Sequence, residues 1–136
     1  MGRPRRQILS NGVYEICIKT KRGLPFVCTS YMKLIIKSVL ARVQRDSKVI
    51  LCHAVVIGNH FHMLVIAKDA EQCTRFYGEV QKQLTDAVKR LVGLKHLSLW
   101  QSNGTSVVRY GDLSGTRERI AYFYANPSNA HLVDCI

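Results

Sequence analysis

The chain has 136 residues, 20 Lys+Arg against nine Asp+Glu, and a formal net charge of +11. That length suits one domain, residues 1–136, and 47% hydrophobic with 21% charged residues argues against a disordered chain. So large a positive excess points to a polyanion, nucleic acid first and a membrane surface second. No apolar run reaches the roughly 18 residues that a spanning helix needs. The basic start Met1-Gly2-Arg3-Pro4-Arg5-Arg6 lacks both the apolar stretch of a signal peptide and the Ser/Thr of a myristoylation site. Five cysteines (17, 28, 52, 73 and 135) form no CxxC and read as reduced thiols of a cytoplasmic protein.

In chain order, VYEICIKT (13–20) alternates Tyr14, Ile16 and Ile18 with Glu15 and Lys19, which predicts a strand. A loop with Gly23 and Pro25 follows. Met32, Ile35, Ile36, Val39, Leu40 and Val43 then fall at helical spacing, with Lys33, Lys37, Arg42 and Arg45 outside the stripe. KVILCHAVVI (48–57) is a nearly continuous apolar run and suits a central strand. Gly58-Asn59 separates it from a second run, HFHMLVIA, which predicts a hairpin with glycine first in a primed turn. Asp69 and Gln72 resemble a capping box that opens a helix carrying Cys73, Phe76, Tyr77, Val80, Leu84, Val88 and Leu91. Residues 93–106 read as irregular and VVRY (107–110) as a short strand. A last helix from about Ser114 to Ala125 stops at Asn126-Pro127, because a residue before proline avoids the α region. The order β-α-β-β-α-β-α predicts an α+β, ferredoxin-like (RRM-like) sandwich with a central antiparallel sheet and two helices on one face.

The chemistry-bearing residues begin with His60-Phe61-His62. In a strand, positions i and i+2 share a face, so both imidazoles sit side by side at the hairpin mouth, as two metal ligands do. The plain alternative is two edge histidines beside a turn. A two-residue turn sets Ile57 opposite His60 and Val55 opposite His62, which brings His53 onto the same face, diagonal to His62. His53 then either backs the ligands or is an ordinary strand histidine. In RIAYFYANP, Tyr122 and Asn126 are four apart on one helix face, while Tyr124 points elsewhere. A tyrosine can attack phosphorus, but with a free pKa near 10 only ~0.1% is phenolate at pH 7, so it needs a metal or a nearby cation. The alternative is that Tyr122 and Phe123 are packing aromatics.

Taken together, these segments resemble the REP-associated tyrosine transposases, relatives of the single-tyrosine transposases of small insertion sequences in the HUH superfamily of single-strand nucleases. The likeness rests on an early basic Arg-Pro segment with Gly12-Val13-Tyr14 opening the first strand. HAVVIGNHFHMLV stands where the family shows His-Ala-Tyr-Val-Leu-Met-Pro-Asn-His-x-His-Leu-Leu-Val. YFYANPSNAHLV stands where it shows Tyr-Ile-x-x-Asn-Pro-x-x-Ala-Gly-Leu-Val. It spans residues 3 to 133 or so.

The resemblance implies that His60 and His62 ligate the metal, that Tyr122 is the nucleophile, and that Asn126 stands where relatives carry a glutamine able to complete the site. His53 and Asn59 would back the ligands. Two imidazoles, an amide oxygen and waters suit Mg²⁺ or Mn²⁺ better than a closed zinc cage. The implied activity is single-stranded DNA cleavage and strand transfer at palindromic hairpin repeats, through a 5′-phosphotyrosine and without ATP. Ile57-Gly58 replaces Met-Pro, and glycine is expected to make the same turn. Ser128, Asn129 and His131 replace basic and glycine residues after Asn-Pro, a change expected to alter DNA contacts. The chain stops at Ile136, where relatives often continue; a compact member and a lost tail both fit.

For DNA contacts, Arg3, Arg5 and Arg6 form a basic arm within residues 1–10, suited to a groove of a folded hairpin. Lys82, Lys89, Arg90, Lys95 and Arg109 are candidates for a backbone groove, and about five neutralised phosphates give a log–log salt slope near −4. Trp100, Tyr110 and Phe123 are candidates to stack on unpaired bases, and Trp100 fits a place in the core equally well. The expected partner is single-stranded or hairpin DNA, with no membrane, and the expected state is a monomer or a homodimer. Two alternatives stand beside this reading. One is a domesticated, non-catalytic DNA-binding module of the same fold. The other is an RNA-binding domain, whose sheet face would show aromatics where this chain puts histidines.

Overall fold

The computed structural model describes residues 12–21, 29–102 and 104–110, together with Glu118 and Ala121, which are helical. Over these the order is β1 (Gly12–Lys19), α1 (Ser30–Ser47), β2 (Ile50–Ile57), β3 (His60–Ala67), α2 (Ala70–Val92) and β4 (Ser106–Tyr110). The strands form one antiparallel sheet in the order β2-β3-β1-β4. Thus β3 lies between β1 and β2, and β1 lies between β3 and β4. These two interlocked β-α-β units are the ferredoxin-like arrangement that the element order predicts.

Side-chain parity gives the sheet two unlike faces. Tyr14, Ile16 and Ile18 of β1, Val56 of β2, and Phe61, Met63, Val65 and Ala67 of β3 join Ile36, Val39, Leu40 and Val43 of α1 and Cys73, Phe76, Val80 and Leu84 of α2 in one core. Each large apolar side chain buried there contributes roughly 1.5–3 kcal/mol. The helices start and stop where their sequence directs. Thr29 caps α1 by accepting the Met32 N–H at 3.1 Å. Asp69 caps α2 by accepting from Gln72 N at 2.8 Å. Gln72 Oε1 answers by accepting from Lys68 N at 2.6 Å, one residue before the position that a capping box uses. Lys48 and Gly93 close the two helices in left-handed conformation.

Three expectations are corrected. Among the described residues the 48–57 run is an edge strand, not a central one: β2 pairs only with β3. Its apolar continuity reflects burial on both faces, with Val56 in the helix-side core and Val55 buried on the other side. A bulge between Leu51 and His53 shifts the register, and Cys52 is exposed there. Leu91 does not join the stripe of α2; it is 49% exposed. Glu15, read as an outward residue by alternation, is 6% exposed.

Candidate functional site

The hairpin makes the site. Ile57 pairs with His60 and Val55 with His62, the register expected from a two-residue turn. Gly58 has φ +57°, while Asn59 is not among the positive-φ residues, so only the first central residue is left-handed and the turn follows the II′ pattern. Proline, fixed near −65°, does not reach that angle. Glycine therefore makes a different turn from a proline's, correcting the expected equivalence, although His60 and His62 keep their face. The turn is tied to β1: Asn59 O accepts from Thr20 N at 2.9 Å.

On the face away from the helices, the His60 and His62 rings stack, with centroids 5.9 Å apart and planes 7° from parallel. Two cis donors of an octahedral ion stand about 3 Å apart, so sharing one ion requires the ring tips to lean together. Asn59 Oδ1 lies 2.7 Å from His60 Nδ1. An amide oxygen only accepts, so this contact puts the His60 proton on Nδ1 and leaves the Nε2 lone pair for a metal. Burial, and then the charge of Lys19, lower the His60 pKa and favour the neutral, ligating form. Nδ1 of His62 is shielded from solvent within the fold. This donor chemistry fits a divalent cation held by two imidazoles and further ligands. Among the described residues, no group of three or more His, Cys, Asp or Glu could hold a metal. His53 lies on the same face, two residues from Val55, and burial lowers its pKa.

The other candidates divide. Tyr122, Asn126, Arg3, Arg5, Arg6 and Phe123 lie outside the described residues, as does the side chain of Tyr110. Of the two readings of Trp100, the structure shows the packing one: its Nε1 donates to Gln81 O and to Thr85 Oγ1, both at 3.0 Å, and its partly buried ring packs on the main core, so it anchors residues 98–101 to α2. Arg109 pairs with Tyr14, a core residue, and so belongs to the helix side of the sheet, not to the histidine face. Lys82, Lys89 and Arg90 ride on α2 and Lys95 lies just past it, with Lys89 3.6 Å from Asp86. These cations therefore do not share one groove with His60 and His62.

The histidine face also holds residues that sequence reasoning passed over. Cys17 pairs with His62, Lys19 with His60, and Glu15 with Leu64. Their parity was visible in β1; that β1 lies beside β3 was not.

The architecture is one that transposases use. It is similar over 98% of this chain and 76% of the other to a REP-associated tyrosine transposase solved bound to a REP hairpin, with a TM-score of 0.72 at 22% identity. It is also similar over 93% of this chain and 97% of the other to a candidate transposase from Deinococcus radiodurans R1, with a TM-score of 0.62 at 16% identity. No protein-family model and no curated protein matches the sequence. Among the described residues, no helix is long and apolar enough to cross a membrane.

Proposed function

We propose that the chain is a REP-associated tyrosine transposase: a divalent-metal-dependent endonuclease and strand transferase acting on single-stranded DNA beside a hairpin repeat. The observation that carries this reading is the His60–His62 pair at the hairpin mouth, with the His60 proton fixed by Asn59, in a fold shared with a hairpin-bound transposase. His60 and His62, with Asn126, would hold Mg²⁺ or Mn²⁺. Bound there, the ion would polarise the scissile phosphate and favour the phenolate form of a nearby tyrosine. Tyr122 supplies the nucleophile. Its oxygen bonds to phosphorus as the bond from phosphorus to the 3′ oxygen breaks, the phenolic proton is lost, and the departing oxygen takes a proton to become a 3′-OH. The 5′-phosphotyrosine conserves the phosphodiester energy, so another 3′-OH can reverse the step and join strands without ATP. The +11 chain, with its arm of Arg3, Arg5 and Arg6, supplies the attraction for DNA.

A covalent-adduct assay tests this. A DNA hairpin with single-stranded flanks, incubated with the protein and Mn²⁺, is expected to give an SDS-stable band. The band should be lost with EDTA or Tyr122→Phe and kept with Tyr124→Phe. Hairpin binding without any band would leave the non-catalytic module, and a band that survives Tyr122→Phe would remove Tyr122 as nucleophile.

A further inference from the structure

The face that carries His60 and His62 also carries two charged residues of β1: Glu15, buried opposite Leu64, and Lys19, four residues on and opposite His60. Lys19 is the direct cross-strand partner of His60, so both side chains leave the sheet on the same side, with Cβ atoms about 4.5–5.5 Å apart. Its place is rigid. Lys19 O accepts from Gln101 N at 2.9 Å, and the next residue, Thr20, donates its N–H to Asn59 O. A Cβ on Gly104 would lie 3.4 Å from Lys19 Cβ, so Gly104 packs against the lysine stem. Lys19 is half-buried, yet among the described residues its ammonium makes no ion pair or hydrogen bond. Lys21, two positions on, differs: its Nζ donates to Ser98 Oγ at 2.6 Å. An ammonium whose stem is held at this face gains when an anion arrives, and on the strand-cleavage reading the anion brought here is a phosphodiester.

We propose that Lys19 binds the scissile phosphate, donating to a non-bridging oxygen and holding that phosphate over the histidine pair while the tyrosine oxygen approaches. Lys19 stays protonated throughout and transfers no proton. The assignment rests on the reading of the site as a strand-cleaving centre and adds to it a residue outside the ligand and nucleophile set.

The experiment separates the two. In a Tyr122→Phe background, which removes the reaction, binding of a flanked DNA hairpin with Mn²⁺ is measured against salt for Lys19, K19Q, K19M and K19R. Lys37→Gln on α1 serves as a charge-matched control. K19Q and K19M should lose about 10-fold in affinity and about 0.7 of salt slope, the share of one single-strand phosphate. K19R should stay within about 3-fold and K37Q should match the parent. A single methylphosphonate, which removes one phosphate charge, is then walked along the flank. The K19Q penalty should vanish at one position only, and with Tyr122 intact the adduct should map to that position and form about 100-fold more slowly in K19Q. An equal penalty at every position, or none, overturns the proposal. Adducts formed by K19Q at the parent rate also overturn it and leave the cleavage reading standing. A one-position penalty with no adduct from the parent protein overturns the cleavage reading and keeps Lys19 as a phosphate site.

Discussion

Substitution at Gly58 isolates the backbone cost of the turn that presents the histidines. The residue has φ +57°, and a Cβ built on it meets nothing within 4 Å. Alanine there therefore meets no steric obstacle, and its whole cost is the left-handed backbone, about 1–2 kcal/mol for an L-residue. For a chain of this size that is a drop in Tm of about 4–8 °C. Asparagine, which tolerates positive φ, should cost less than alanine. Proline is the sharpest case, because the resembling family carries it at this position and consensus reasoning expects G58P to be neutral or stabilising. The angle says the opposite: proline's φ near −65° is about 120° away, and a turn rebuilt around it splays the strands. The expected order of stability is Gly, Asn, Ala, Pro, measured by thermal and urea melts followed by circular dichroism. Alanine equal to glycine, or proline at least as stable as glycine, would refute the turn assignment and the geometry that follows from it.

Three further predictions rest on single contacts. Asn59→Ala removes the acceptor that fixes the His60 tautomer and should weaken Mn²⁺ binding by about 10–100-fold in titration calorimetry, while Asn59→Asp keeps an acceptor and should retain it. Burial pushes the Cys73 thiol up to about 11. In iodoacetamide labelling at pH 8 read by mass spectrometry, exposed Cys52 should be modified and Cys73 only after unfolding. Because this pKa is raised on folding, its contribution to stability is complete below the ordinary 9.0 and is lost as pH climbs towards 11. Lys48 ends α1 at φ 61° as a non-glycine residue, so Lys48→Gly should stabilise by up to about 1 kcal/mol and raise Tm by a few degrees.

What could be read from the sequence was whatever depends on local period. The alternation of Tyr14, Ile16 and Ile18, the stripe from Ile36 to Val43, the Asp69 cap and the pairing of Val55 with His62 all follow from spacing within one element or one hairpin. Strand order is a property of distant pairings, so the apolar 48–57 run gave no sign that β2 is an edge. Trp100 illustrates the same limit: a lone indole in irregular chain fits base stacking and core packing alike, and only the fold brings Gln81 and Thr85 of α2 to its N–H.

The histidine face shows why the missing information matters for chemistry. Alternation sets Glu15 and Lys19 on the face opposite Tyr14, Ile16 and Ile18, which is not the same as setting them in water. In the fold that face lies beside Val55 and Leu64, both fully buried, so the environment is partly dry. There a carboxylate, a lysine and two imidazoles interact far more strongly than on an open surface. A polar residue in the outward phase of a strand is thus a surface residue only while its face stays wet. In a basic chain with paired histidines on that face, Lys19 becomes a candidate for contact with the substrate.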